Sequence, residues 1–400
     1  MLDNYSIHKL GDLTVYLSKS ISDEMTSAIL ATNAGSINDS KKGLAHFVEH
    51  MLFNGTENYS KDYINNDLYQ FGITDLNAFT SCNWIATYGS SLSKYAHKLI
   101  DILFELINKP LFPKEYLEKE RNIIIQELYS SRDSIGGLLG QDFIKQLYLK
   151  NKYSEPVIGN EKDIKNIQLK DLINYHQSFF NPYQQVLILR TNIDWKEIKS
   201  ILLNYYSQVN HHLKQFYPNQ KFILKGKDSL IKIKKFNQTG LIYSYPFNPK
   251  DWTKIDLICE ILSGGLGSKL MREVREKRGL TYSISANFMI FKESGLFYIE
   301  TTFSDSSKLE ELKDVIRNCI KESITEKELS DAKNVIKIEL LKNNYSIAGC
   351  SFSVLNRITS NNLLDFNQVY KEIDLIKKEE LNSYKKNIQL FNGNFYVISR

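Results

Sequence analysis

The strand and helix patterns of this chain run through one order by residue 192, then begin the same order again near residue 239. In the first pass, "LTVYLSK" and "TSAILATNAG" read as strands, from their alternation and β-branched content. A short helix follows across residues 43–54, closed by the Asn54-Gly55 stop signal. Strands are expected at "LNAFT" and "NWIATYGS", and helices over 93–107, 114–131 and "LKDLINYHQSFF". "QQVLILRTN" closes the set as a strand. The second pass supplies a strand at "TGLIYSYPF", a helix at "WTKIDLICEILSGG" and strands at "TYSISANFMIF" and "GLFYIETTF". Helical patterns fill 307–389, and "NFYVISR" ends the chain as a strand. One α+β plan used twice is the fold this order allows. The expected domains are 1–207 and 226–400, joined over 208–225 by a polar, Pro218-containing stretch with neither helical nor strand period.

A chain of 400 residues suits two cores of about 200 residues each. The net charge of +5 is spread among interleaved acids with no basic block, so nucleic acid is not an expected partner. Cys82, Cys259, Cys319 and Cys350 are far apart with no CxxC pair, which fits free thiols rather than a disulfide framework or a thiolate zinc site. The N-terminus lacks an apolar signal core, and no stretch approaches the length of a membrane span. A cytoplasmic protein is the expectation.

Against that background, "GLAHFVEHMLFNGT" places two of the chain's seven histidines, His46 and His50, one helical turn apart. Both imidazoles can aim at one point, as zinc requires, and catalytic zinc keeps three protein ligands and a water. Glu49 projects beside them, where a carboxylate can take a proton from that water. The pattern is HxxEH, the reverse of HExxH. The competing reading is a pair of buried, hydrogen-bonded histidines. A zinc site demands a third ligand, and "KEYLEKERNIIIQELYS" offers Glu120 and Glu127, seven apart on one helix beside Ile123, Ile124, Ile125 and Leu128. A carboxylate beside such a stripe is costly to bury without a cation. Glu127 is the candidate ligand, and Glu120 the candidate partner that orients a histidine. Aligning the two repeated helices by their glycine ends sets His50 opposite Glu260 and His46 opposite Asp256, so the second copy has no such histidines.

These segments resemble the pitrilysin or insulinase superfamily of zinc peptidases. There the two histidines bind zinc, the glutamate is the general base, and a third-ligand glutamate lies some 77 residues on, with another glutamate seven before it. Glu127 is 77 residues past His50, and Glu120 takes the second position. The resemblance spans nearly the whole chain. "NAGSINDSKKGLAHF" is similar to the approach to the motif, although Asn38-Asp39 stands where an acid normally follows Gly-Ser. "LNAFTS" resembles the edge strand that binds substrate, which implies peptide contacts at Asn77, Ala78 and Phe79. "LSGGLGSKLMREVREKRGLTYSISANF" resembles the second domain's core, and it implies substrate contacts at Arg275 and Tyr282. A glycine usual before the edge strand is absent, and "LRTNID" replaces a Gly-containing turn.

The resemblance implies an α+β fold of two related domains, each a mostly antiparallel sheet packed with helices, together forming half of a clamshell. It further implies Zn²⁺ as cofactor and endopeptidase activity on short or unstructured peptides within a closed chamber, for processing or clearance. Because full-length relatives use four such domains, a homodimer with sites completed in trans is expected, with a heterodimer as the rival. The alternative function is a non-catalytic peptide-binding or scaffold subunit of a paired assembly. Other features point elsewhere less well. "SGGLGSKL" lacks the Gly-Lys-Ser/Thr of a phosphate loop and reads as a cap and turn. Gly136, Gly137 and Gly140 read as a flexible turn, and His211-His212 as solvated linker. His8, His97 and His176 have no partner at useful spacing, so packing roles are expected for them.

Overall fold

The computed structural model describes residues 5–19, 24–133, 135–147, 152–181, 184–205, 228–232, 237–290, 294–345, 354–355, 358 and 366–399. The linker stretch 208–225, with His211-His212, and Cys350 lie outside the described residues. The chain divides by packing into two units.

The first unit is built on a sheet of order β1-β2-β6-β3-β5-β4, formed by β1 (Ser6–Leu10), β2 (Leu13–Lys19), β3 (Met25–Thr32), β4 (Asn77–Thr80), β5 (Ile85–Leu92) and β6 (Gln185–Thr191). Only β2 and β6 run parallel; the other neighbours are antiparallel. Strand alternation sorts the side chains to two faces. Leu13, Val15, Leu30 and Leu187 join the main core with α1 (Leu44–Leu52), α2 (Ala96–Asn108) and α3 (Lys114–Arg132). Tyr16, Ile29, Ala31, Ala86 and Ile188 face the other way and pack on Val354 and Leu355.

The second unit repeats this topology. Its sheet has the order β7-β11-β8-β10-β9, from β7 (Ser229–Lys232), β8 (Thr239–Phe247), β9 (Ile284–Ile290), β10 (Gly295–Phe303) and β11 (Asn394–Ser399). It too has one parallel pair, β7 with β11, followed by antiparallel neighbours. Helix α5 (Trp252–Ser263) lies between β8 and β9 as α1 lies between β3 and β4. The duplicated plan is therefore seen strand for strand, with β1 added at one edge of the first sheet.

One expectation fails at the three glycines. Gly136, Gly137 and Gly140 lie not in a flexible turn but inside a helix, α4 (Ile135–Leu147). Ile135, Leu139 and Phe143 recur one turn apart and are buried. They pack on the second sheet, where Leu139 and Ile135 approach Gly240 and the Phe143 ring lies 5.9 Å from that of Tyr396. A Cβ on Gly136 or Gly140 would meet nothing within 4 Å, so these positions face open space. Each glycine costs the helix about 1 kcal/mol of propensity, and packing of the apolar stripe outweighs it. By packing, α4 belongs to the second unit and the described residues within 343–359 to the first, so each unit takes a segment from the other half of the sequence. Among the described residues no helix is long and apolar enough to cross a membrane.

Candidate metal centre

Helix α1 begins where Asp39 accepts hydrogen bonds from three backbone N–H groups: Gly43 at 2.9 Å, Leu44 at 3.2 Å and Ala45 at 2.9 Å. The acid thus satisfies the open donors of the first turn, where negative charge also suits the helix dipole. Gly43 is required there. Its φ is +90°, and a Cβ would come within 2.6 Å of the Ile158 carbonyl oxygen. Leu44, Phe47, Val48, Met51 and Leu52 bury one face of α1 in the core. The same spacing leaves His46, Glu49 and His50 together at its rim.

Helix α3 brings the acids. Leu117, Ile124 and Leu128 anchor it in the same core, so Glu120 and Glu127 face α1. His46 Nε2 is 3.8 Å and His50 Nε2 3.4 Å from Glu127 Oε2. One ligand atom from each of His46, His50 and Glu127 lies within 4.8 Å of the others. Ligand atoms at the corners of a tetrahedron with zinc bonds of about 2.1 Å stand about 3.4 Å apart. Two imidazole nitrogens and a carboxylate oxygen at these separations therefore fit a zinc ion. Glu127 is half-exposed, so the group opens to solvent.

The local charges follow from burial and contact. Burial, then the charge of His50, lowers His46 to about 3, so its ring is neutral and able to donate to a metal. Burial lowers His50 as well, but the Glu120 hydrogen bond and the charges of Glu127 and Glu49 outweigh it and raise the group. Burial raises Glu49 by more than the Thr80 hydrogen bond and the charge of His50 lower it. Glu120 is pushed up by burial, yet hydrogen bonds from His50 and Asn54 hold it below the ordinary carboxylate value.

Glu49 does not join the three-residue group; its carboxylate accepts a hydrogen bond from the Thr80 hydroxyl at the end of β4. Glu120 Oε2 lies 3.4 Å from His50 Nδ1, the nitrogen turned away from Glu127. Asn77, Ala78 and Phe79 sit on β4, which pairs with β5 alone among the described strands. Arg275 and Tyr282 lie in the second unit. Arg275 belongs to a π-helical stretch, Met271–Glu276, and its guanidinium lies 5.1 Å from the centre of the Tyr282 ring. Tyr282 is 83% exposed.

Most of the remaining candidates are occupied otherwise, whereas His97 is exposed rather than packed. Lys269 of "SGGLGSKL" is buried, and its ammonium binds the Ser323 carbonyl at 2.8 Å and Glu322 at 3.3 Å. His8 stacks on Trp195, and His176 Nε2 meets the Ile107 carbonyl at 2.8 Å. No motif in the sequence singles out Thr80. Its signal was the two-residue strand period, which puts Thr80 on the same face of β4 as the buried Ala78.

The chain is similar to known proteins along most of its length. Residues 14–161 match the profile described as Insulinase (Peptidase family M16), and residues 166–336 that described as Peptidase M16 inactive domain. A Rickettsia felis protein described as an uncharacterized zinc protease is 28% identical over 351 residues, 85% of this chain and 84% of that protein. A Helicobacter pylori protein described as a non-peptidase homolog is 24% identical over 378 residues, 91% of this chain and 86% of that protein. The crystal structure of a protease from Helicobacter pylori has the same fold, with a TM-score of 0.89 over 100% of both chains at 17% identity. Two profiles in succession, spanning most of residues 14–336, show that the chain belongs to the insulinase peptidase family M16.

Proposed function

We propose that this chain is a zinc-dependent endopeptidase that cleaves short or unstructured peptides. The observation that carries the reading is the convergence of His46, His50 and Glu127, with Glu49 beside them on α1. Those three residues would hold Zn²⁺. When bound, the ion supplies Lewis acidity, which makes water acidic enough to lose a proton near neutrality and polarises a carbonyl.

The chain's own groups do the rest. Glu49 takes the proton from the attacking water and passes it to the departing amine. Thr80 fixes the carboxylate that does so. The open edge of β4 at Asn77, Ala78 and Phe79 binds the peptide by adding a strand, which reads backbone more than sequence. Peptides that can become extended are the substrates such an edge selects. Arg275 and Tyr282 would anchor the peptide in a two-fold homodimer, each chain completing the site of the other; a related partner chain could fill the same role. The free thiols of Cys82, Cys259 and Cys319 suit a reducing compartment such as the cytoplasm.

A non-catalytic, peptide-binding role is the second reading, favoured by the Helicobacter pylori relative described as a non-peptidase homolog. The complete set of three donors plus a carboxylate base favours the first. Zinc content and hydrolysis of a quenched peptide separate the two. Mixing tests the assembly: Glu49→Gln and Tyr282→Phe chains are each expected to be poor enzymes, and subunit exchange restores part of the activity. Exchange that restores nothing, or an active monomer, contradicts completion in trans.

A further inference from the structure

Behind His50 lies a buried chain of polar contacts that reaches the surface at a lysine. Glu120 is 8% exposed, and one of its oxygens faces His50 Nδ1 at 3.4 Å. Its other oxygen, Oε1, accepts from the Asn54 side-chain amide at 3.2 Å. Asn54 is 3% exposed. The same amide nitrogen donates to the His50 carbonyl at 3.1 Å, and the amide oxygen accepts from the Lys61 ammonium. Lys61 also lies 3.9 Å from Glu120 Oε1 and 3.9 Å from the centre of the Tyr116 ring.

The geometry points to Asn54 and Lys61 as positioning residues of the metal site: through Glu120 they hold the His50 imidazole with its Nε2 turned toward the metal position. This inference rests on the reading of His46, His50 and Glu127 as zinc ligands. A helix-capping asparagine needs only the bond to the His50 carbonyl. Here the amide also joins a cation on one side to a carboxylate on the other, and an amide can do this because it carries both a donor and an acceptor. An aspartate at 54 would set a second carboxylate against Glu120. A leucine would leave Glu120, Lys61 and the carbonyl of His50 without that partner.

A buried carboxylate without compensating donors is costly, so loss of Lys61 or Asn54 loosens Glu120. A loosened Glu120 no longer fixes the orientation of His50. The two histidines differ in this respect. His46 Nδ1 is buried with no hydrogen-bond partner among the described residues, so orientation from an acid is concentrated on His50.

The test is zinc affinity of the full chain, measured by competition with a chromophoric chelator, with thermal unfolding of the metal-free protein as the folding control. Loss of a direct partner of a ligand typically weakens metal binding about 10- to 100-fold. Lys61→Met and Asn54→Ser, acting one contact further out, are expected to weaken it about 3- to 30-fold. Lys61→Arg keeps the cation and is expected to restore most of the affinity. In a Glu120→Gln background, Lys61→Met is expected to cost nothing more, because its effect passes through that carboxylate. Wild-type affinity in both single variants overturns the inference, as does an equal loss from Lys61→Met with and without Glu120. A wild-type chain that binds no zinc overturns the underlying reading of the three ligands, and this inference with it. Lys61 is partly exposed, so its variants test the inference even where Asn54→Ser does not fold.

Discussion

Replacing Thr80 by valine keeps the shape of the side chain and removes one hydroxyl. That hydroxyl donates to the Glu49 carboxylate. Glu49 is half-buried in a site where burial already disfavours its charge. A hydrogen bond to a charged group contributes about 1.5–3 kcal/mol. Each 1.36 kcal/mol lost in the transition state is about tenfold in rate. If the bond holds the base in its working orientation, Thr80→Val lowers kcat by about 10- to 100-fold. KM is set by the peptide's contacts with the β4 backbone, which the substitution leaves in place, so it stays within about twofold. Zinc content is unchanged, because Thr80 touches no proposed ligand. The assay is steady-state hydrolysis of a quenched peptide by protein whose metal content has been measured. Thr80→Ser, which keeps the hydroxyl and loses the methyl, recovers most of the rate. Wild-type kcat in Thr80→Val means that the bond does not hold the base. So does Thr80→Ser as slow as Thr80→Val, since packing rather than the hydroxyl would then be the cause.

Three further outcomes follow from the same structure. Glu127→Ala abolishes stoichiometric zinc, whereas Glu120→Ala weakens affinity about 10- to 100-fold; zinc titration checks both, and a Glu127→Ala chain with wild-type affinity means that another group completes the site. Asp39→Ala removes the acceptor for three N–H groups at the start of α1 and costs about 1 kcal/mol or more of stability, read by denaturant unfolding; an unchanged midpoint counts against the capping role. Burial, then the charge of Glu260, pushes Asp256 up from the ordinary 3.8 to about 7. The folded state therefore holds this proton more tightly than the unfolded chain, and stability falls as pH rises through that interval. The full shift corresponds to about 4 kcal/mol, and partial solvent access of the side chain brings the expected penalty nearer about 2 kcal/mol. Asp256→Asn is expected to raise the unfolding temperature at pH 8 but not at pH 4, and an equal gain at both contradicts the burial of a charge.

Much of the site could be read from sequence because its core is local. His46, Glu49 and His50 lie within five residues, and helical periodicity alone sets their relation. Glu127 is remote, and the fixed spacing of a family resemblance singled it out. For Thr80 the sequence gives only its face of the strand, and for Lys61 nothing. The Thr80 contact depends on how the edge strand lies against α1, and no propensity encodes that. Asn54 was legible as a helix stop, and a stop signal hides what the side chain does once it is buried. In the fold, "LTVYLSK", "TGLIYSYPF" and "GLFYIETTF" form the strands their alternation indicates. The failure at Gly136 to Gly140 has the opposite cause: local propensity favoured a turn, while Ile135, Leu139 and Phe143 gain more by docking on the second sheet, at Gly240 and Tyr396, far along the sequence.

Glu49→Gln separates the base from the metal. Glu49 lies beside the proposed ligands without joining them, and glutamine keeps its size while removing its basicity. Metal analysis and peptide hydrolysis are measured on the same preparations of wild type and variant. One zinc per chain is expected in both, with turnover of the variant reduced at least about 10²-fold. A zinc-loaded variant that hydrolyses peptide like wild type, or a zinc-loaded wild type that hydrolyses none, contradicts the assignment of Glu49 as the base.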